Sequence, residues 1–240
     1  MLAFLANPDR FMAFSRWAAP SLGAAAALLL CAGLWLTFSA PEDYQQFDTV
    51  RIMFIHVPAA WLGMFAYLCL GVASLLALVF RHALADAAAK SAAPLGAGFT
   101  ALALITGSLW GRPMWGTWWV WDARLTSVLV LFLFYLGYMA LRAAIDDETR
   151  GGRAAAILAL VGLINLPVVH FSVEWWNSLH QGSSTFGADR GDGLPPVYAI
   201  PLALMGLGYL ALFGSLWLVR IRSEVWRRRA TVRTLRLVEG

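Results

Sequence analysis

The run Val57-Pro-Ala-Ala-Trp-Leu-Gly-Met-Phe-Ala-Tyr-Leu-Cys-Leu-Gly-Val-Ala-Ser-Leu-Leu-Ala-Leu-Val-Phe80 carries no charged side chain anywhere along its length. About 20 mostly apolar residues in a helix cross the hydrocarbon core of a bilayer. Lipid offers backbone N–H and C=O groups no partner outside a helix or a closed barrel. The run therefore reads as a transmembrane helix. Similar runs on either side predict six spans, at about 18–40, 57–80, 91–110, 124–142, 154–171 and 197–220. Composition agrees: 60% of the 240 residues are hydrophobic and 13% charged, against roughly half and a quarter in a soluble domain. The expected fold class is an all-α integral membrane protein forming one domain over residues 1–240. The first apolar run, Ala18 to Ala40, is longer than the core of a cleavable signal and lacks a convincing cleavage site, so it is expected to remain as the first span.

Charge sets the expected orientation. Of eighteen Lys and Arg, only Arg51, Arg112, Arg124 and Arg190 fall in or beside the segments 41–56, 111–123 and 172–196. The other fourteen lie on the opposite side, seven of them arginines between Arg220 and Arg236. The positive-inside rule then puts both termini in the cytoplasm and the three arginine-poor segments outside. Arg227-Arg228-Arg229 could suggest nucleic acid, but beside a span it reads as an anchor to anionic lipid, and no nucleic-acid partner is expected. Cys31 and Cys69 lie inside apolar runs, where a thiol behaves as a small hydrophobe, and no zinc or thiol-exchange spacing is present.

One expected outer segment is unusual. Trp110-Gly-Arg-Pro-Met-Trp-Gly-Thr-Trp-Trp-Val-Trp-Asp-Ala-Arg-Leu-Thr126 holds five of the twelve tryptophans: Trp110, Trp115, Trp118, Trp119 and Trp121. An interfacial aromatic belt accounts for Trp17, Trp35, Trp217 and Trp226. It does not account for five indoles packed between Gly111, Gly116 and the charges of Arg112, Asp122 and Arg124. Pro113 suits the first turn of a short helix, which would place Trp115, Trp118 and Trp119 on one face and add Asp122 to it. The expectation is an aromatic platform.

The four histidines divide by position. His82 sits beside Arg81 at the inner end of the second span, where a positive charge belongs. His56 begins that span at its outer end, where a helix N-terminus disfavours imidazolium and keeps a lone pair free. His180 follows Glu174-Trp175-Trp176 on the same side, and His170, at the end of the fifth span, is a reserve candidate. Two imidazoles beside a wide aromatic surface suit haem, whose iron takes axial histidine. Zinc would ask only for a small tetrahedral set. Arg51 and Arg124 are candidates for the propionates, although Arg124 has an alternative partner in Asp122.

The tryptophan-rich stretch resembles the WWD signature of haem-handling proteins in cytochrome c maturation. Within that superfamily, Arg51-Ile-Met-Phe-Ile-His-Val-Pro-Ala-Ala-Trp61 and Phe171-Ser-Val-Glu-Trp-Trp-Asn-Ser-Leu-His-Gln181 are similar to the flanking motifs of the CcmC family, and the likeness extends over all six spans. The resemblance implies a multi-pass protein of the bacterial inner membrane that binds haem b at the periplasmic face. It implies delivery to the haem chaperone CcmE, alongside the ABC transporter subunits CcmA and CcmB and the small peptide CcmD. Its axial ligands carry over to His56 and His180, and its haem-contacting motif to Trp110 through Asp122. A carrier is expected and no catalytic residue is assigned. A haem lyase of the same superfamily would ordinarily be larger, and a plain ABC permease subunit would leave the tryptophans and histidines without purpose.

Overall fold

The computed structural model describes residues 7–180 and 194–239. Arg190 and the lead before residue 7 lie outside the described residues. Among the described residues there are seven helices: α1 (Pro8–Ser39), α2 (Met53–Phe80), α3 (Ala83–Trp115), α4 (Ala123–Ala144), α5 (Glu148–Leu163), α6 (Asn165–Trp175) and α7 (Pro196–Glu239). A 3₁₀ turn, Asp48–Ile52, leads directly into α2. Among the described residues six segments are long and apolar enough to cross a membrane, with α5 and α6 together forming one of them. The protein is an all-α, multi-pass membrane protein.

Caps explain most helix starts. Asn7 Oδ1 accepts from the Asp9 and Arg10 amides, with Pro8 in the first turn of α1. Asp122 does the same for Leu125 in α4, and Asp147 for Thr149 and Arg150 in α5. Each side chain satisfies an N–H that the helix cannot. The first span, expected to begin at about residue 18, is helical from Pro8 onward. His82 differs from its expected role as a terminal cation: its Nδ1 accepts from the Ala85 amide at 3.2 Å and so caps α3.

Pro113 does not open a new helix. The third span continues through it to Trp115 and stops at Gly116, whose φ of +74° is the left-handed conformation that glycine adopts without steric cost. Arg112 closes the end by donating from Nη1 to the Gly116 carbonyl at 2.5 Å. Trp118 and Trp119 therefore lie in a loop, and the expected single helical face with Trp115 does not exist. The fifth span breaks at Ile164, because Pro167 lacks the N–H that would pair with the Leu163 carbonyl. The last helix has 44 residues, or about 66 Å at 1.5 Å per residue. It runs well past the expected end at 220, carrying its arginines beyond the hydrocarbon.

The core is built on α2 against α3, with α1 packed along α7. One buried cluster joins Phe54, Leu62, Phe99, Met205 and Phe213; a second joins Tyr67, Leu70, Leu131 and Tyr135 with alanines of α3 and α5. Small residues bring the backbones close, as membrane helices require. Gly96 is the clearest case: a Cβ there would stand 2.0 Å from the hydroxyl of fully buried Tyr135, which donates to the Gly63 carbonyl at 2.8 Å. This packing holds the start of α2, the end of α3 and the start of α4 around a common cleft.

Candidate functional site

The cleft lies where α2 begins, α3 ends and α4 begins, and His180 closes it from the segment after α6. Its walls are mostly apolar, with Leu104, Met114, Leu125 and Val128 among them, and its enclosed volume is about 130 Å³. Pockets that swallow a drug-sized ligand run to roughly 300–1,000 Å³. A macrocycle seated here would therefore keep one edge outside.

His56, in the first turn of α2, is held in a defined tautomer. Its Nδ1 is 3.0 Å from the Ala103 carbonyl oxygen, which can only accept, so Nδ1 carries the proton. The Thr106 hydroxyl, 3.1 Å from the same nitrogen, gives its own proton to the Leu102 carbonyl at 2.6 Å. Nε2 is left with its lone pair, the arrangement that metal-binding imidazoles take from their outer partners. Gly107 makes room for the ring, since a Cβ there would lie 3.0 Å from His56 Cε1.

The His56 and His180 ring centroids are 6.4 Å apart, with the planes tilted by 37°. A metal–imidazole bond of about 2.0–2.1 Å, plus roughly 1.1 Å from nitrogen to ring centre on each side, gives about 6.3 Å for two rings sharing one metal. Trp110 packs edge-on to His56 at 5.7 Å and Trp115 lies 6.3 Å from His180, so each imidazole has an indole neighbour. Trp110 is itself steadied by donating from Nε1 to Gln46 Oε1 at 3.1 Å.

His180 is placed by a chain of hydrogen bonds that starts at Asp122. One carboxylate oxygen caps α4 by accepting from Leu125 N at 2.8 Å, and the other accepts from the Ser178 hydroxyl. Ser178 Oγ in turn accepts from His180 N–H at 3.0 Å. The aspartate that ends the tryptophan stretch thus ties the loop carrying His180 to the start of α4.

The structure brings His56, His180, Trp110, Gly111, Trp115, Trp119 and Arg124 together around the cleft. It places the other candidates elsewhere. Arg51 pairs with Asp48 at 2.6 Å and does not line the cleft. Arg124 donates to Ser172 Oγ at 2.8 Å and toward the His170 carbonyl, bracing α4 on α6. Gly116 ends α3, and Asp122 works through Ser178. His170 is exposed with its ring against Phe171. Glu174, Trp175 and Trp176 are exposed, as are Trp118 and Trp121. Gln46, Ala103, Thr106, Ser172 and Ser178 escaped the sequence reading; only Ser178, two residues before His180, had a local signal, that of a serine turn.

Two features bear on what fits. Trp119 lines the cleft, and its Nε1 is buried with no hydrogen-bond partner among the described residues. Such a donor costs free energy until an acceptor reaches it. No three His, Cys, Asp or Glu side chains converge among the described residues to hold a bare ion. Two imidazoles suffice where a porphyrin brings the equatorial ligands with the metal.

Fold and cleft together define a class: a six-span helical membrane protein with a paired-histidine, tryptophan-walled cleft at one end of its bundle. Residues 1–236 match the family model for CcmC, described as Heme exporter protein C. The chain is 57% identical over 236 residues to Heme exporter protein C of Bradyrhizobium diazoefficiens, covering 98% of this chain and 89% of that one. It is 45% identical to the Escherichia coli protein of the same name, with 98% and 96% covered, and 47% identical to that of Paracoccus denitrificans, with 93% of each covered. The chain belongs to the CcmC family.

Proposed function

We propose that the protein binds haem b between His56 and His180 at the periplasmic face of the bacterial inner membrane and passes it to the chaperone CcmE in cytochrome c maturation. It acts there with CcmA, CcmB and CcmD. The observation that carries this reading is the pair of imidazoles at bis-histidine separation, one of them locked with Nε2 unprotonated. The relatives' shared name, Heme exporter protein C, supports the cargo. Trp110, Trp115 and Trp119 supply aromatic contact, and Arg124 with Trp119 Nε1 receives a propionate. The protein is read as a carrier whose groups hold iron and carboxylate, in keeping with the relatives' name. Protein purified from haem-replete cells should show the Soret band of a six-coordinate low-spin haem. Its absence would overturn the reading.

Orientation has its own test. Reporter fusions after Asp86 and Asp147 should report a cytoplasmic location, and fusions near Gln46 and Asp189 a periplasmic one; Asp189 lies outside the described residues. The inverted pattern would put the cleft in the cytoplasm and exclude periplasmic delivery.

The tryptophans should divide by exposure. Trp118, Trp121, Trp175 and Trp176 are 56%, 76%, 55% and 51% exposed at the cleft end, and exposed aromatic surface of this kind marks docking sites. Replacing all four with alanine should leave the Soret band in place and stop transfer to CcmE. Replacing Trp110, Trp115 and Trp119 should instead weaken haem retention, since each aromatic contact is worth about 0.5–1.5 kcal/mol beyond its area. Normal transfer by the fourfold variant would reject the docking role.

A further inference from the structure

At the opposite end of the bundle a second cavity, of about 270 Å³, lies between the α2–α3 corner, the first turns of α5 and Arg228 of α7. Its two carboxylates are already engaged. Asp86 accepts from Arg142 and from Arg228 Nη2, the latter at 2.5 Å, while Glu148 accepts from Arg227 at 2.5 Å. Glu224, just behind, is shared among Lys90, Arg227 and Arg228. Arg81 and Arg153 also line the cavity and form no ion pair among the described residues. The cluster therefore holds six cations against three carboxylates, and the surplus faces the cavity.

The backbone supplies a second, independent observation. Arg81 ends α2 at φ +51°, ψ +37°, the left-handed conformation in which glycine is the usual and cheaper residue. That strain persists at a residue lining the cavity, and strained non-glycine residues cluster where a ligand is held. Next to it, His82 Nδ1 accepts from Ala85 N–H, which leaves the ring's other nitrogen protonated and donating. An imidazole in that tautomer cannot ligate iron, and among the described residues no Trp, Tyr or Phe side chain lines this cavity. It is not a second haem cleft.

We propose that the cavity is a binding site for a phosphate group, borne either by an anionic phospholipid headgroup or by a free phosphate. Arginine forks match phosphate oxygens in pairs, with His82 and the Thr149 hydroxyl as further donors. The site stands at the last turn of α2, a helix of 28 residues or about 42 Å. That length carries its end out of the hydrocarbon to headgroup level, where basic pockets between spans hold acidic lipid. A bound phosphate offsets the surplus charge and ties the α2–α3 corner to α5.

The test uses the whole protein in zwitterionic detergent, offered phosphatidylglycerol, phosphatidylcholine or inorganic phosphate alone, and read by native mass spectrometry and thermal midpoint. Wild type should retain phosphatidylglycerol over phosphatidylcholine, and the Arg81→Gly, Arg153→Gln double variant should lose that retention by about tenfold, as expected when charged hydrogen bonds are removed. Arg81→Gly alone should melt no lower than wild type without added ligand, because glycine relieves the strain, so its weaker binding cannot be unfolding. Arg233→Gln with Arg236→Gln removes equal charge from the exposed tail and should leave retention unchanged. Stabilisation by inorganic phosphate equal to that by lipid would assign the site to free phosphate; stabilisation by lipid alone would assign it to the headgroup. Equal anion binding by wild type and the double variant, or equal loss in the tail variant, would overturn the proposal.

Discussion

His56→Ala is expected to abolish the low-spin haem spectrum and reduce haem retention more than any other single substitution. His56 is fixed by helix α2 on one side and by the Ala103 carbonyl on the other, so no neighbouring side chain can swing into its place. Removing an outer partner of a ligating histidine typically costs about 10–100-fold in metal affinity, and losing the ligand itself should exceed that. His180→Ala should differ in kind. Its ring comes from the segment after α6, and loop residues reposition more readily than residues in a helix. We expect this variant to keep five-coordinate haem on His56, with a shifted Soret band, and to fail chiefly in transfer. Since a carrier that grips iron from both sides must release one bond on delivery, His180 is the exchangeable ligand. His170→Ala and His82→Ala should leave the spectrum unchanged. Spectra of the four variants decide the matter: an unaltered Soret band in both the His56 and His180 variants would refute the ligand assignment.

The second large effect is expected at Asp122. Its carboxylate caps α4 and holds Ser178, whose oxygen holds the His180 amide. Asp122→Ala removes a cap worth roughly 0.5–2 kcal/mol and frees the loop that carries the second ligand. The expected result is a change from six- to five-coordinate haem, with affinity lowered about 10–100-fold. Ser178→Ala separates the two consequences, because it leaves the α4 cap intact and breaks only the link to His180. It should reproduce the spectral change with little loss of thermal stability, and Ser178→Thr, which keeps the hydroxyl, should restore the wild-type band. A six-coordinate spectrum in Ser178→Ala would show that the chain of hydrogen bonds does not position His180.

These expectations depend on which parts of the protein are local and which are not. Six spans were legible because about 20 apolar residues crossing lipid is a property of each segment by itself. The caps at Asn7, Asp122 and Asp147 were not read from the sequence, although a capping side chain acts within three residues. The end of α7 was not, because the arginine-rich stretch after 220 contains good helix formers and no stop, and so continues the helix in water.

The tryptophan stretch was read with the wrong local structure. A proline begins helices and also survives near their ends, and Pro113 alone does not distinguish the two. The left-handed turn at Gly116 does, together with Trp115 packing back over Gly111, where a Cβ would lie 2.9 Å from the indole. The sequence by itself determined a six-span helical membrane protein, the end of the bundle where the histidines and tryptophans gather, and the two imidazoles worth pairing. Only the tertiary structure decided that His56 and His180 stand 6.4 Å apart, that Arg51 turns away to Asp48, and that Asp122 acts through Ser178. The physical reason is separation along the chain: residues 56, 103, 122 and 180 belong to different helices and loops, and their distances follow from how α2, α3 and α4 pack on glycine and alanine, which no local pattern encodes.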